Sequence, residues 1–251
     1  MYTLLDIGLS VIFVMLLLSM YILQFANVRW NGKFSECFAL AKGVKQGAVL
    51  SAILYCVYMN GLFQILRKKR TGCWVENEYH GIIGYADDNF LIAPTMNSLQ
   101  EMLLTCEEYA LKHNLKFSTN EDPKESKTKC MAFLKKERPL RKLVLCGDKL
   151  PWVNDGKHLG CTIENKIDGM KKDLMIKRAK FIERNMELNQ EFYFAHPESK
   201  VQVNQIYNSH FSGSSLWNLF SNEAEMLEKT WNVSIRQMFN LPRETHKFFI
   251  E

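Results

Sequence analysis

Hydrophobic residues recur at three- and four-residue spacing in several stretches of the chain, and this spacing predicts helices with one apolar face. The first stretch covers residues 48–70 and ends in the basic run Arg-Lys-Lys-Arg. The second covers residues 97–114, where Ser98 and Glu101 have the spacing of a capping box at a helix start. From Gly169 onward strand-like patterns stop, and the remaining chain is predicted to be helical.

Short runs of β-branched and aromatic residues, separated by turn residues, predict antiparallel hairpins elsewhere in the chain. In residues 25–41, Asn31-Gly32 lies between two such runs and is a strong signal for a two-residue hairpin turn. A second hairpin is predicted around Tyr85-Ala86-Asp87-Asp88, with buried apolar flanks and two carboxylates at its tip. Further strands are predicted at residues 115–118, 130–134, 143–146 and 158–163.

Residues 7–23 form an uncharged, apolar segment that lies between Asp6 and Arg29. Its length makes a membrane-spanning helix one interpretation. However, the segment is short for a span, it contains Gly and Ser, and no Lys or Arg precedes it as in a signal peptide. We therefore expect a helix that is buried in the protein, with a membrane anchor as the alternative.

Composition and charge exclude few classes of protein. The chain has 251 residues, of which 47% are hydrophobic, enough for one or two domains with a core. A formal net charge of +5 favours an anionic partner, although dedicated nucleic-acid-binding proteins are more basic. The seven cysteines are scattered and form no C-x-x-C pair, so neither a zinc site nor a disulfide partner is expected. This cysteine usage favours an intracellular compartment, the cytoplasm or the nucleus.

Two short motifs carry candidate chemistry. Asp87 and Asp88 are adjacent carboxylates that repel each other, so a site that keeps both ionised needs a cation such as a divalent metal ion. An ordinary solvated turn is the alternative for this pair. In residues 43–51, two glycines bracket a lysine and a glutamine just before a predicted helix. Glycine lets a ligand approach the backbone closely, and the two polar side chains can reach a phosphate or a base edge.

Together, G-x-x-Q-G-x-x-L-S at residues 43–51 and Y-A-D-D at residues 85–88 resemble the reverse transcriptase domain of LINE-type non-LTR retrotransposons, in the order found in that family. The resemblance implies an α+β right-hand polymerase fold. Its palm, an antiparallel sheet with helices packed on one face, would occupy residues 1–165. A mostly helical thumb and C-terminal region would occupy residues 166–251. It also implies an RNA-directed DNA polymerase that uses Mg²⁺ or Mn²⁺ and binds an RNA template, a DNA primer and a deoxynucleoside triphosphate.

The resemblance assigns roles to individual residues, which we treat as expectations. Catalysis and metal binding are expected of Asp87 and Asp88. Contacts to substrate or template are expected of seven residues: Gly43, Lys45, Gln46, Gly47, Ser51, Tyr85 and Lys127. The primer-grip hairpin is expected at three residues: His158, Leu159 and Gly160. Contacts to the nucleic-acid backbone are expected of four basic residues in an amphipathic segment, although ordinary solvation is the alternative: Lys171, Lys172, Lys177 and Arg178.

The chain departs from the family pattern near its beginning. In the family, an aspartate on an earlier palm strand bridges both catalytic metal ions. Here the acidic residue before the apolar segment is Asp6. Its position is that of a residue at a helix start rather than of a strand aspartate. Ala52 also replaces the proline that commonly follows Leu-Ser. We therefore expect an N-terminally truncated and inactive reverse transcriptase fragment. The alternatives are a non-catalytic or host-adopted nucleic-acid-binding protein and a membrane-anchored protein.

Overall fold

Helices and small antiparallel hairpins make up this α+β fold, which confirms the predicted fold class. A computed structural model describes residues 2–40, 43, 47–136, 138–166, 170–208 and 211–245. The helices in this part of the chain are α1 (Tyr2–Asp6), α2 (Val11–Tyr21), α3 (Ser51–Lys69), α4 (Met96–His113), α5 (Lys171–Glu191), α6 (Pro197–Asn208) and α7 (Asn222–Met238).

The strands are short, and the pairs named at the end of this paragraph are two-stranded antiparallel sheets. Their bounds are β1 (Phe25–Ala26), β2 (Arg29–Trp30), β3 (Lys33–Phe34), β4 (Phe38–Ala39), β5 (Trp74–Val75), β6 (Glu78–Tyr79), β7 (Ile82–Tyr85), β8 (Asp88–Leu91), β9 (Leu143–Leu145), β10 (Asp148–Leu150), β11 (Asp155–His158) and β12 (Cys161–Glu164). The pairs are β1 with β4, β2 with β3, β5 with β6, β7 with β8, and β11 with β12.

The chain divides into two compact units. The first unit contains Met1–Phe117 and Leu143–Gly147, and the second contains Ser118–Lys142 and Asp148–Glu251. The division into compact units is not a division into polymerase subdomains, so it does not test the predicted border between a palm and a thumb at residue 165. That border stays a prediction.

The core of the first unit lies where α3 and α4 pack together with β7. Apolar residues at helical spacing give α3 and α4 the buried faces that the sequence predicts. Full burial of leucines such as Leu62 and Leu66 stabilises this packing by roughly 2 kcal/mol each. The buried residues of this core are Met59, Leu62, Leu66, Ile82, Met102, Cys106 and Tyr109.

The start of α4 differs from the predicted capping box. Thr95 is the N-cap, and its hydroxyl accepts a hydrogen bond from the Ser98 backbone N–H at 3.1 Å. The Ser98 hydroxyl instead accepts a hydrogen bond from the backbone N–H of Gly72 at 3.0 Å. Ser98 is therefore used for a contact distant in sequence, and the neighbouring threonine caps the helix.

The uncharged segment 7–23 contains α2, in which Val14 and Leu17 are buried while most other apolar side chains are exposed. The expectation of a buried helix therefore holds for only one side of α2. A helix of 11 residues is about 16 Å long, whereas a bilayer core is about 30 Å thick. Within the described residues, no helix is long and apolar enough to cross a membrane.

The second unit is built around α5, which packs against α6, α7 and β12. The ring of Phe181 on α5 stacks on Trp231 of α7, with ring centroids 5.2 Å apart, and lies 5.7 Å from Phe211. In place of the strand predicted at residues 130–134, the described chain has an isolated bridge between Cys130 and Trp152. The strand predicted at residues 115–118 is absent from the described chain, although Leu115 and Phe117 pack against the core of the first unit.

A candidate catalytic hairpin

The hairpin predicted around Asp87 and Asp88 is present as β7 and β8. Tyr85 pairs with Asp88 across the strands, which leaves Ala86 and Asp87 as a two-residue turn. Ala86 adopts the left-handed backbone region with φ of 51°, a conformation that costs a non-glycine residue about 1–2 kcal/mol. Asp87 and Asp88 are both exposed at this tip. Backbone strain of this kind is often found at functional sites.

The two faces of this hairpin have different surroundings, because successive strand residues point to opposite sides. Ile82 is buried in the core of the first unit, and its cross-strand partner Leu91 packs against the same core. Ile83 and Tyr85, on the other face, are exposed. The prediction that the apolar flanks are buried is therefore correct for one face and wrong for the other.

Gly84 is exposed but lies on the same face of β7 as the buried Ile82, and it brings the hairpin against Phe63 of α3. A Cβ atom at this position would overlap with Cζ of Phe63 and would lie 2.9 Å from Oδ1 of Asn89. Asn89 in turn directs its Nδ2 toward the backbone oxygen of Asp87 at 3.5 Å. The absence of a side chain at Gly84 thus lets β7 and β8 approach α3 closely enough to hold the acidic tip in place. Sequence reasoning did not single out Gly84.

Tyr55 on α3 is a second residue that sequence reasoning missed. Burial raises the pKa of its hydroxyl, and the negative charge of Asp87 raises this pKa further. Because an electrostatic effect of this kind falls off with distance, the tyrosine lies near the tip of the hairpin. The one available sequence signal was its position one helical turn after Ser51.

The glycine-rich motif leads directly into α3. Gly43 and Gly47 have φ values of 102° and 86°, in the region that glycine adopts without strain. Ser51 begins α3, is buried, and lies with its hydroxyl 3.1 Å from the Tyr21 hydroxyl of α2. Lys45 and Gln46, the polar pair of the motif, lie outside the described residues.

The carboxylates of the hairpin are suitable in type for a divalent ion. Mg²⁺ is commonly bound by one or two carboxylates together with substrate phosphates. Asp87 and Asp88 provide two such groups. In the described chain, no group of three or more His, Cys, Asp or Glu side chains could hold a metal ion.

The second unit contains the remaining predicted site residues. Lys127 is exposed in the polar segment after Ser118. His158 pairs with Cys161, and Leu159 and Gly160 form the turn of the β11–β12 hairpin, with φ values of 47° and 81°. The predicted hairpin is therefore present, and its role as a primer grip stays a prediction.

The four basic residues of α5 that were expected to contact nucleic acid each have a partner inside the second unit. These partners are Glu223 for Lys171 at 3.4 Å, Asp155 for Lys172 at 2.7 Å, Asp173 for Lys177 at 2.8 Å, and Thr230 for Arg178 at 2.7 Å. The first two pairs are partly exposed, whereas the Lys177 side chain is only 11% exposed. The three carboxylate partners compete with phosphate for the lysine charges, and the Thr230 hydroxyl competes with phosphate for a hydrogen-bond donor of Arg178.

Asp173 is the buried centre of these contacts, and sequence reasoning missed it. Its carboxylate accepts hydrogen bonds from the Thr162 backbone at 2.8 Å, from Lys177 at 2.8 Å and from Nε1 of Trp217 at 2.9 Å. Burial acts to raise the pKa of Asp173, but these hydrogen bonds and the lysine charge together lower it below its ordinary value. Asp173 therefore joins β12, α5 and the segment around Trp217 as an ionised, fully bonded group.

A comparison with known proteins identifies the family of the chain. Residues 5–163 match the sequence profile of the reverse transcriptase (RNA-dependent DNA polymerase) family. No curated protein matches the chain. The matched region covers more than half of the chain and includes the glycine-rich motif, α3 and the acidic hairpin. The chain therefore belongs to the reverse transcriptase (RNA-dependent DNA polymerase) family.

Proposed function

We propose that this chain is the palm and thumb part of an RNA-directed DNA polymerase of the LINE-type, non-LTR class. The observation that carries the proposal is the β7–β8 hairpin, which presents Asp87 and Asp88 at an exposed and strained turn beside α3. The order of the glycine-rich motif and the acidic hairpin supports the non-LTR class. Residues 1–165 would form the palm, and residues 166–251 would form the thumb and C-terminal region.

Asp87 and Asp88 would hold Mg²⁺ or Mn²⁺, which when bound supplies positive charge for nucleotidyl transfer. Gly84 keeps the hairpin against Phe63 of α3, so the carboxylates are positioned by the core. Tyr55 adds a polar hydroxyl near Asp87 on the α3 side. Packing of the hairpin on α3 would position the acidic tip before the reaction.

The remaining residues have proposed roles in binding. Gly43, Lys45, Gln46, Gly47, Ser51, Tyr85 and Lys127 would contact template or nucleotide. His158, Leu159 and Gly160 would position the primer strand through the β11–β12 turn. These roles rest on the family resemblance together with the hairpin and glycine geometry described above.

The 251-residue chain on its own is expected to be inactive. Transfer by two metal ions needs a carboxylate set that clamps both ions, and the pair at the hairpin tip is not joined by a third acidic group in the described residues. Loss of such a charge-stabilising group costs on the order of several kcal/mol in the transition state. A non-catalytic nucleic-acid-binding role is the second candidate function, and the same incomplete carboxylate set favours it.

Metal binding and primer extension test these proposals separately. We expect Mn²⁺ binding, measured by electron paramagnetic resonance, to be lost in Asp87→Asn and retained in Glu76→Gln, an exposed carboxylate variant in the β5–β6 turn of the same unit. Equal Mn²⁺ binding by the wild type and Asp87→Asn would contradict the catalytic role of the hairpin. Extension of oligo(dT) on poly(rA) that Asp87→Asn abolishes would contradict the expected inactivity and support the polymerase role.

Binding to an RNA–DNA duplex tests the proposed thumb. Lys171 and Lys172 can exchange partly exposed acidic partners for phosphate, because exposed ion pairs contribute only about 0–1 kcal/mol. Replacing both with Ala should reduce the slope of log affinity against log salt by about 2, since each phosphate contact contributes about 0.9. Lys229→Ala, an exposed and paired lysine of α7, is the control. An unchanged slope would show that both lysines serve only their internal partners.

A further inference from the structure

Residues 24–40 form a hairpin arm, which we call the aromatic arm. Its inner part is the β1–β4 pair and its outer part is the β2–β3 pair, closed by the Asn31-Gly32 turn. Both turn residues have positive φ, 47° and 76°, as the predicted two-residue turn requires. Between the two pairs, Ser35 is bonded to Val28 through its backbone N–H and its hydroxyl at 2.9 Å each. The arm therefore satisfies its backbone mainly from within itself.

The aromatic side chains of the arm are directed to solvent. Trp30 is 77% exposed and Phe34 is 68% exposed, and Phe25 and Phe38 are exposed as well. Exposure of a large aromatic side chain to water is unfavourable, and stacking of the ring on another flat surface is favourable. A cluster of exposed aromatic side chains on one small hairpin is therefore typical of a binding surface.

Each face of the outer arm combines one aromatic side chain with one cation. Arg29 lies opposite Phe34 in the strand register, and its guanidinium carbon is 5.8 Å from the centroid of that ring. Trp30 lies opposite Lys33 on the other face. Within the described chain, neither Arg29 nor Lys33 forms an ion pair with a carboxylate. Their charges therefore remain available to an anionic ligand.

Aromatic rings next to unpaired cations match single-stranded nucleic acid. The rings can stack on unpaired bases, and the cations can neutralise the adjacent phosphates. A duplex hides its base faces inside the stack and would use only the two charges. A purely apolar protein partner would leave both cations without a counter-charge.

We propose that the outer aromatic arm, with Arg29, Trp30, Lys33 and Phe34, is a binding site for single-stranded nucleic acid. This site lies on a different hairpin from Asp87 and Asp88 and requires neither metal ions nor catalysis. It deepens the proposed function, on which it rests for the template strand, by naming where that strand would bind, and it is tested by a binding measurement that needs no primer extension.

Fluorescence anisotropy with labelled 12-nucleotide oligo(dT) and oligo(rU) tests the proposal on the full 251-residue chain. Trp30→Ala and Phe34→Ala should each weaken binding about tenfold, because stacking of one base on one aromatic ring raises the affinity by about this factor. Phe220→Ala is the matched control, since Phe220 is 100% exposed in the other unit beside acidic residues of α7. Circular dichroism melts should be unchanged in all three variants, because these rings are exposed.

The charges of the arm give a second measurement. Replacing Arg29 and Lys33 with Ala should reduce the salt slope for oligo(dT) by about 1.4, since each phosphate contact of a single strand contributes about 0.7. Oligonucleotide affinity that is the same in the wild type and the arm variants would overturn the proposal. So would equal competition by a duplex of the same length, or arm variants that reduce only self-association in sedimentation velocity.

Discussion

The ring of Phe63 on α3 occupies the space that a side chain at Gly84 of β7 would need. This contact joins the core of the first unit to the hairpin that carries Asp87 and Asp88. It explains how an exposed acidic turn is held at a defined place although most of its own side chains are in solvent.

Gly84→Ala is expected to destabilise the first unit by about 1–3 kcal/mol, because the added methyl group must displace Phe63 or move the hairpin. Urea denaturation measures the change. Gly156→Ala is the control, because Gly156 also lies in a paired strand and its added Cβ would make an ordinary contact of 3.5 Å with Met131. Adding Phe63→Leu to Gly84→Ala should recover part of the loss, and no recovery would argue against the contact as the cause.

Lys177→Met is expected to destabilise the second unit by about 3–5 kcal/mol, because it leaves the carboxylate of Asp173 buried without its cation. Lys171→Met removes a partly exposed partner of Glu223 and should cost at most about 1 kcal/mol. Thermal and urea unfolding of both variants give the comparison. Similar losses in both variants would show that Lys177 is not held in a buried pair.

Asp173 should contribute to the pH dependence of stability. Its pKa in the folded protein lies below its ordinary value of 3.8, so the unfolded chain takes up the proton first as the pH falls. The stabilisation is therefore fully present above pH 3.8 and is lost as the pH falls toward the lowered value. The stability difference between the wild type and Asp173→Asn should shrink over this acidic range, measured by urea unfolding from pH 6 to pH 2. A constant difference would mean that Asp173 titrates alike in the folded and unfolded states.

Several elements could be predicted from the sequence because their signals are local. The Asn31-Gly32 turn requires two residues with positive φ, and this dipeptide adopts that conformation readily. The acidic hairpin is predicted by two short apolar runs on either side of a polar tetrapeptide. The helices α3 and α4 are predicted by apolar residues at three- and four-residue spacing. Each of these signals depends on neighbours within a few residues along the chain.

The candidate site and the surroundings of α5 depend on contacts between distant parts of the chain. The proximity of Tyr55 to Asp87 and the closeness of Gly84 to Phe63 follow from the packing of the hairpin on α3, which no local pattern specifies. Ser98 has a capping sequence, yet its hydroxyl bonds to Gly72 while Thr95 caps α4.

The sequence by itself determined the α+β class, the two hairpin turns and the family, because turn chemistry, periodicity and short motifs are written in adjacent residues. Only the tertiary structure decided which cations are available to a ligand. The basic residues of α5 have the pattern of a nucleic-acid-binding face, but folding gives them Glu223, Asp155, Asp173 and Thr230 as partners. The arm has fewer charges, but its two cations face solvent beside exposed aromatic rings, because the arm projects its side chains away from the core.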